Sequence, residues 1–181
     1  MTYSKNLTLN DGRRCLLRNA DGNDGQAVLD CFVKTHSETD FLLSYPDETT
    51  MTAESEGRFL SAKEVSQNEV EILAIVDGIV AGCAGVNAIG SKYKVSHRAE
   101  FGVSVLEGFW GLGIGRALME ACMECAKAAG YGQLELDVVA DNARAVSMYS
   151  KAGFVECGRN PKGFRSRTSG FQELVRMRKE L

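Results

Sequence analysis

What the chain lacks narrows its class before any motif is read. Its most apolar stretch, Ile72 to Val86, is interrupted by Asp77-Gly78 and is too short to span a bilayer. The first six residues, Met-Thr-Tyr-Ser-Lys-Asn, lead into no apolar segment, so no secretory signal is expected. There is no internal repeat, low-complexity tract or linker-like stretch. The 181 residues therefore read as a single domain with enough chain to bury a core. Histidine is scarce, with two residues in all, and neither lies near the pair Cys122-x-x-Cys125. With no second cysteine pair either, the ligands for a tetrahedral metal site are missing, and no metal is expected.

What is present is ordinary for a soluble globular protein: 44% hydrophobic and 25% charged residues. Six cysteines without a signal peptide suggest free thiols in a reducing compartment, and hence a cytoplasmic location. Ile114, Ala117, Leu118, Ala121, Cys122, Cys125 and Ala129 recur at helical spacing, which places both thiols of the C-x-x-C on a buried stripe. The net charge of −3 is unevenly spread. Glu38 to Glu71 holds nine acids and two bases, whereas Gly158 to Leu181 holds seven bases and two acids. A negative field favours cationic ligands and a positive one anions, although most such runs are solvated surface.

The order of elements follows from periodicity and punctuation. Arg13 to Arg18 reads as a strand. Asp21 or Asn23 can cap a helix with Ala27, Val28, Cys31, Phe32 and Thr35 on one face. After a polar connection from Thr39 to Thr50, a second helix is expected over about Thr52 to Ser66, with Phe59, Leu60 and Val65 inward. Val70 to Val76 and Ile79 to Val86 form a hairpin on Asp77-Gly78, a pair suited to a type I′ turn. A strand region over Val95 to Leu106 leads to glycines 111, 113 and 115 and a long helix that Gly130 can end. Leu134 to Val139 alternates as a strand. A last helix, capped by Asp141 or Asn142, ends at Gly153, and Phe154 to Cys157 and Phe171 to Met177 close the chain as strands. This pattern predicts a mixed α/β fold: about seven strands and four helices, without the regular alternation of a parallel sheet.

The glycine stretch is the chemical focus. Glycines let the backbone turn tightly and approach a ligand, and the first turn of the following helix aims unpaired N–H groups into the loop. A phosphate or pyrophosphate fits such a cradle, and Arg116 adds charge. A nucleotide P-loop needs Gly-Lys-Ser/Thr, but Gly115 is followed by Arg116-Ala117. A dinucleotide fingerprint, G-x-G-x-x-G/A, meets Arg116 or Leu118 at its sixth position. Glu135, 20 residues past Gly115, is the one feature that favours it. The remaining class is coenzyme A.

Val103-Ser104-Val105 followed by Trp110-Gly111-Leu112-Gly113-Ile114-Gly115 resembles the Q/R-x-x-G-x-G/A motif of the GCN5-related N-acetyltransferase (GNAT) superfamily. Trp110 departs from the usual glutamine or arginine. Downstream, Asn142-Ala143-Arg144-Ala145, Met148-Tyr149 and Gly153-Phe154 are similar to the family's N-x-x-A…Y-x-x-x-G-F signature. The resemblance covers the chain from about Val70 onward. It implies one N-acetyltransferase domain over residues 1–181, with a central, mostly antiparallel twisted sheet, acceptor-side helices at about 23–66 and an acetyl-CoA-binding core at about 95–157. Acetyl-CoA would be the cosubstrate. Its binding residues would be Val103, Ser104, Val105, Trp110, Gly111, Leu112, Gly113, Ile114, Gly115, Arg116, Asn142 and Tyr149. The strand before the loop would splay from its neighbour and expose its backbone to the pantetheine.

The chemistry so implied is direct attack of a neutral amine on the thioester. Tyr149 would protonate the departing thiolate, and the Val105 amide would stabilise the oxyanion. An apolar helix-face tyrosine and a plain N-cap are the alternative roles of Tyr149 and Asn142. For the base, Glu100 is the candidate and His97 the runner-up, beside a water chain or a surface role. The acidic stretch with Asp40, Asp47, Glu48 and Glu54, together with Tyr45 and Phe41, falls where the family places its acceptor, which favours a cationic small-molecule, peptide or protein amine. Arg159, Lys162, Arg165 and Arg167 form a basic hairpin for phosphates or solubility; nucleic acid and membrane partners are not expected. A non-catalytic acetyl-CoA sensor is the alternative function. Edge strands suit a homodimer.

Overall fold

The computed structural model describes residues 2–181. Eight strands form one sheet in the order β1-β2-β3-β4-β5-β6-β8-β7. They are β1 (Ser4–Thr8), β2 (Arg14–Asn19), β3 (Val70–Val76), β4 (Ile79–Ala88), β5 (Arg98–Val105), β6 (Gln133–Val139), β7 (Val155–Ser166) and β8 (Gly170–Glu180). Every neighbouring pair is antiparallel except β5 and β6. Four α-helices, α1 (Gly25–Glu38), α2 (Ala53–Val65), α3 (Ile114–Ala128) and α4 (Ala143–Lys151), complete the predicted mixed architecture.

The sheet separates two apolar layers. Alternation along β3 sends Val70, Ile72, Ala74 and Val76 to the larger core beneath α3, and Leu73 to a smaller one with Val28 and Cys31 of α1 and Leu60 of α2. Cys122 and Cys125 lie in the larger core. At about 25 cal/mol per Å² of apolar area, this two-sided burial is the main favourable term holding the sheet between its helices.

Three local readings need correction. Strand β1 was not anticipated: four of its five residues are exposed, leaving no apolar alternation to read, and it forms by pairing with β2 at the sheet edge. Helix α2 keeps Leu60 buried, but Phe59 and Val65 are 47% and 74% exposed. Its inner face is instead Glu56, Gly57, Leu60 and Lys63. A Cβ on Gly25 would lie 2.3 Å from the Ala53 carbonyl oxygen and 2.7 Å from the Gly57 nitrogen, so α1 and α2 meet through bare backbone. Lys63 can face inward because its Nζ donates to Glu71 at 2.8 Å. On α1 the buried face is Val28, Cys31 and Thr35, whereas Ala27 is exposed and Phe32 stacks on His36. The α1 start is displaced too: Asp21 caps a short 3-10 turn that leads into the helix at Gly25.

Candidate functional site

The site begins where two strands part. β5 and β6 pair only from Arg98↔Gln133 to Glu100↔Glu135, and beyond that β5 keeps β4 alone, down to Val105↔Gly82. A two-nitrogen contact from the Arg98 guanidinium to the Glu135 carboxylate closes the junction and holds that carboxyl below its ordinary range. The Leu106 amide donates to the Ala81 carbonyl. By the two-residue alternation of an antiparallel ladder, the peptide groups of Ser104 then face β4, and those of Val103 and Val105 face the gap. The gap widens into a cleft of about 600 Å³.

One wall is the glycine loop. Gly111 and Gly113 sit at φ of 80° and 93°, in the region where a side chain is strained. Gly113 is the N-cap of α3, and the Ala117 amide is the first to bond back, to the Gly113 carbonyl. The amides of Ile114, Gly115 and Arg116 therefore lie at the helix's positive end without helical partners. Asn10, in the β1–β2 turn, supports this loop: its side-chain nitrogen donates to the Gly111 carbonyl at 3.0 Å and its amide to that of Leu112. Sequence reasoning missed Asn10. The turn chemistry of Asn10-Asp11-Gly12 is visible, but its partner lies 101 residues away.

Trp110 has a definite task. Its indole Nε1 donates to the Val105 carbonyl at 2.7 Å, tying the loop to the end of β5. The guanidinium of Arg144, in the first turn of α4, lies 4.2 Å from the Trp110 ring centroid and spans from one side of the cleft to the other. Asn142 caps α4, accepting from the Ala145 amide at 3.2 Å, and also lines the cleft. Tyr149 is 7% exposed and is wedged between Phe101 and Phe154 at ring distances of 6.2 and 5.8 Å. Burial pushes its hydroxyl up to about 12, so the phenol stays protonated near neutrality.

All the expected binding residues line this cleft save Leu112, whose side chain packs on the large core. Glu100 and His97 do not. Glu100 is exposed and lies four residues before Ser104 on the same strand face, about 13 Å along the strand. His97 precedes β5 at the opposite end, where its carbonyl accepts from Gly132 and Gln133. Thr35 of α1 and Thr39, Phe41 and Leu42 of the loop after it also line the cleft, as does Phe109. Asp47 and Glu48 are bound by Arg167, and Glu54 pairs with Arg58 on the surface of α2. Arg159 is likewise engaged by Glu156 and Glu173, and Lys162 lies over Phe171, so this pair belongs to the hairpin's own surface. Among the described residues, no three His, Cys, Asp or Glu side chains gather as metal ligands, and no helix is long and apolar enough to cross a membrane.

A parted strand pair, a glycine loop at a helix N-terminus and a tyrosine in the shared wall accord with a comparison across known families: the model of the "Acetyltransferase (GNAT) family" matches residues 29–154. The chain belongs to the acetyltransferase (GNAT) family. An acetyltransferase of the GNAT family from Streptococcus pneumoniae superposes with a TM-score of 0.88 at 28% identity, covering 92% of this chain and 99% of that one. The L-amino acid N-acetyltransferase AaaT of Escherichia coli (strain K12) is 33% identical over 85 residues, 46% of this chain and 52% of that protein. The streptothricin acetyltransferase of Streptomyces lavendulae is 31% identical over 104 residues, 58% of this chain and 53% of that protein. The chain thus spans about half the length of the curated relatives it matches. The GNAT match includes the parted strands, the glycine loop and all of α4.

Proposed function

We propose that this GNAT protein is an acetyl-CoA-dependent N-acetyltransferase, moving acetyl directly to a primary amine within a ternary complex. The observation that carries the reading is the continuity of one cleft from the α3 N-terminus, past the bared edge of β5, to Tyr149 and the α1–α2 loop. Its features fit acetyl-CoA end to end. The unpaired amides of α3 with Arg116 and Arg144 suit a pyrophosphate. The peptide groups of Val103 and Val105 suit a chain of amides such as pantetheine. The two relatives named as acetyltransferases support the same reading.

When bound, acetyl-CoA supplies an activated acetyl thioester. The protein's part is to place and stabilise. The Val105 N–H faces the gap and can donate to the oxygen on which charge develops, while its carbonyl is already held by Trp110. Tyr149 holds a proton at its hydroxyl for the departing sulfur. Its raised pKa keeps the phenol protonated as a hydrogen-bond donor to the sulfur as charge develops there; full transfer to a thiolate that titrates near ~8.5 runs uphill, so the released thiolate takes its proton from solvent. The only carboxylate among the described lining residues is Asp141, beside Asn142 at the N-terminal end of α4. At the acceptor end Ser104 and Thr39 bring hydroxyls to the lining, while the Thr35 hydroxyl is engaged by the Cys31 and Phe32 carbonyls, and the amine attacks in its neutral form.

Thiol release from acetyl-CoA with a panel of amines tests this. Amine-dependent release is expected, with Tyr149→Phe lowering kcat by roughly 10²-fold while acetyl-CoA still binds. Binding without release from any amine would leave a sensor and remove the transferase. The proposed setting is the cytoplasm, where the six unpaired thiols stay reduced. The proposed assembly is a homodimer through a sheet edge, to be read by light scattering.

A further inference from the structure

The acidic stretch between α1 and α2 is turned away from the cleft and spent on a distant hairpin. Asp40 is its hub. Its carboxylate accepts from the Ser166 hydroxyl at 2.5 Å, the Tyr45 phenol at 2.7 Å, and the hydroxyls of Ser169 and Thr168 at 3.3 and 3.5 Å. Gln172 donates to the Asp40 carbonyl at 3.1 Å. These bonds, the one from Ser166 first, hold the carboxyl below its usual range. The Arg167 amide donates to the Tyr45 phenol oxygen at 2.8 Å. Its guanidinium stacks 4.1 Å from the Tyr45 ring centroid, donates to both Asp47 oxygens at 2.8 and 2.9 Å, and reaches Glu48 at 3.3 Å. Glu38, at the end of α1, accepts from the Glu107 amide at 2.7 Å and pairs with Lys34.

With those acids engaged, the loop brings Phe41 and Leu42 into the lining of the cleft, to which Phe109 also contributes. Thr35 and Thr39 add no charge, and the Thr35 hydroxyl is taken up by the Cys31 and Phe32 carbonyls of its own helix. A substrate with several ammonium groups would have to desolvate them against rings and methyls, with Asp141 at the α4 end the one lining carboxylate among the described residues, which is unfavourable. A substrate with one amine on an apolar body loses little water and gains buried apolar area. We propose that the acceptor is a primary monoamine on an apolar body, and that the β7–β8 turn sets this preference by clasping the loop through Asp40, Tyr45 and Arg167. Phe41 and Leu42 are then specificity-determining residues, while Asp40, Tyr45 and Arg167 are positioning residues. The inference rests on the transferase reading and narrows it.

The test compares kcat/KM for phenethylamine and hexylamine with that for spermidine and kanamycin at saturating acetyl-CoA, with acetyl-CoA binding measured separately by calorimetry. The apolar monoamines are expected to win by at least about tenfold. Phe41→Ala is expected to raise the phenethylamine KM by about tenfold with the acetyl-CoA KM unchanged. Arg167→Ala is expected to raise it severalfold, with partial recovery in Arg167→Lys. Preference for spermidine or kanamycin would overturn this inference and leave the transferase intact, as would an unchanged acceptor KM in both Phe41→Ala and Arg167→Ala. Binding of acetyl-CoA without release from any amine would overturn both.

Discussion

At the scale of single residues, Trp110 is the most informative departure from the family pattern. A loop glutamine or arginine is replaced by the chain's one tryptophan, and its indole takes up the last carbonyl of β5. Trp110→Phe keeps a ring beneath Arg144 but leaves the Val105 carbonyl without that donor, a loss of about 1–2 kcal/mol. The expected result is about tenfold weaker acetyl-CoA binding by calorimetry. Because no other tryptophan contributes, the wild-type emission should change saturably during an acetyl-CoA titration as anionic groups draw Arg144 from the indole. Glu56 makes a separate prediction about stability. Burial, then the neighbouring Glu71, raises its carboxyl above the ordinary value of 4.5. The folded state then binds the proton more tightly than the unfolded chain. This contribution to stability is therefore complete below about pH 4.5 and lost as pH rises through the folded pKa. Glu56→Gln should raise the Tm near pH 7 and change it little near pH 4, as paired thermal melts would record.

At the scale of elements, legibility tracked locality. The hairpin at Asp77-Gly78, the α3 start behind Gly113 and the Asn142 cap are written in adjacent residues, and each forms as expected. Strand β1 is not: with Ser4, Lys5, Asn6 and Thr8 all exposed, its pairing is dictated by β2 and by no pattern of its own. The turn that β1 makes possible carries Asn10 to the glycine loop, so a part of the site depends on the least legible strand. Asn10→Ala removes one side-chain bond to Gly111. The acetyl-CoA KM should rise about three- to tenfold, from a net hydrogen bond of about 1 kcal/mol, with kcat little altered in steady-state assays. Helix α2 misled for the opposite reason. An apolar pattern pointed to Phe59 and Val65, whereas bare backbone at Gly57 and the ion pair of Lys63 decide which side packs.

At the scale of the molecule, the glycine-loop end of the cleft was legible because it is built from backbone, announced by glycines and a helix start. The end walled by the loop after α1 was not, because that loop is held by contacts across more than a hundred residues. Asp40 and Arg167 read as two opposite surface charges in sequence, and only the fold brings the acidic loop against the basic turn. Glu100 failed to reach the cleft for a simpler reason: a strand cannot shorten its own rise. A mutation at the strand junction tests how far the whole sheet governs the site. Arg98→Met leaves the Glu135 carboxylate with Gln133 but without its cation. With no contact to any cleft residue removed, kcat/KM should still fall by roughly tenfold, as small misplacements of reacting groups do; an unchanged value would confine the Arg98 contact to stability.

That junction has a mechanical meaning. β5 and β6 are joined for three residues and parted from each other for the five that follow, so they stand like the arms of opened tongs with the Arg98–Glu135 contact where the arms meet. The aperture at the far end is therefore set by strand register: it opens where the β5–β6 ladder stops, and β4 and β8 hold its two sides apart along their length.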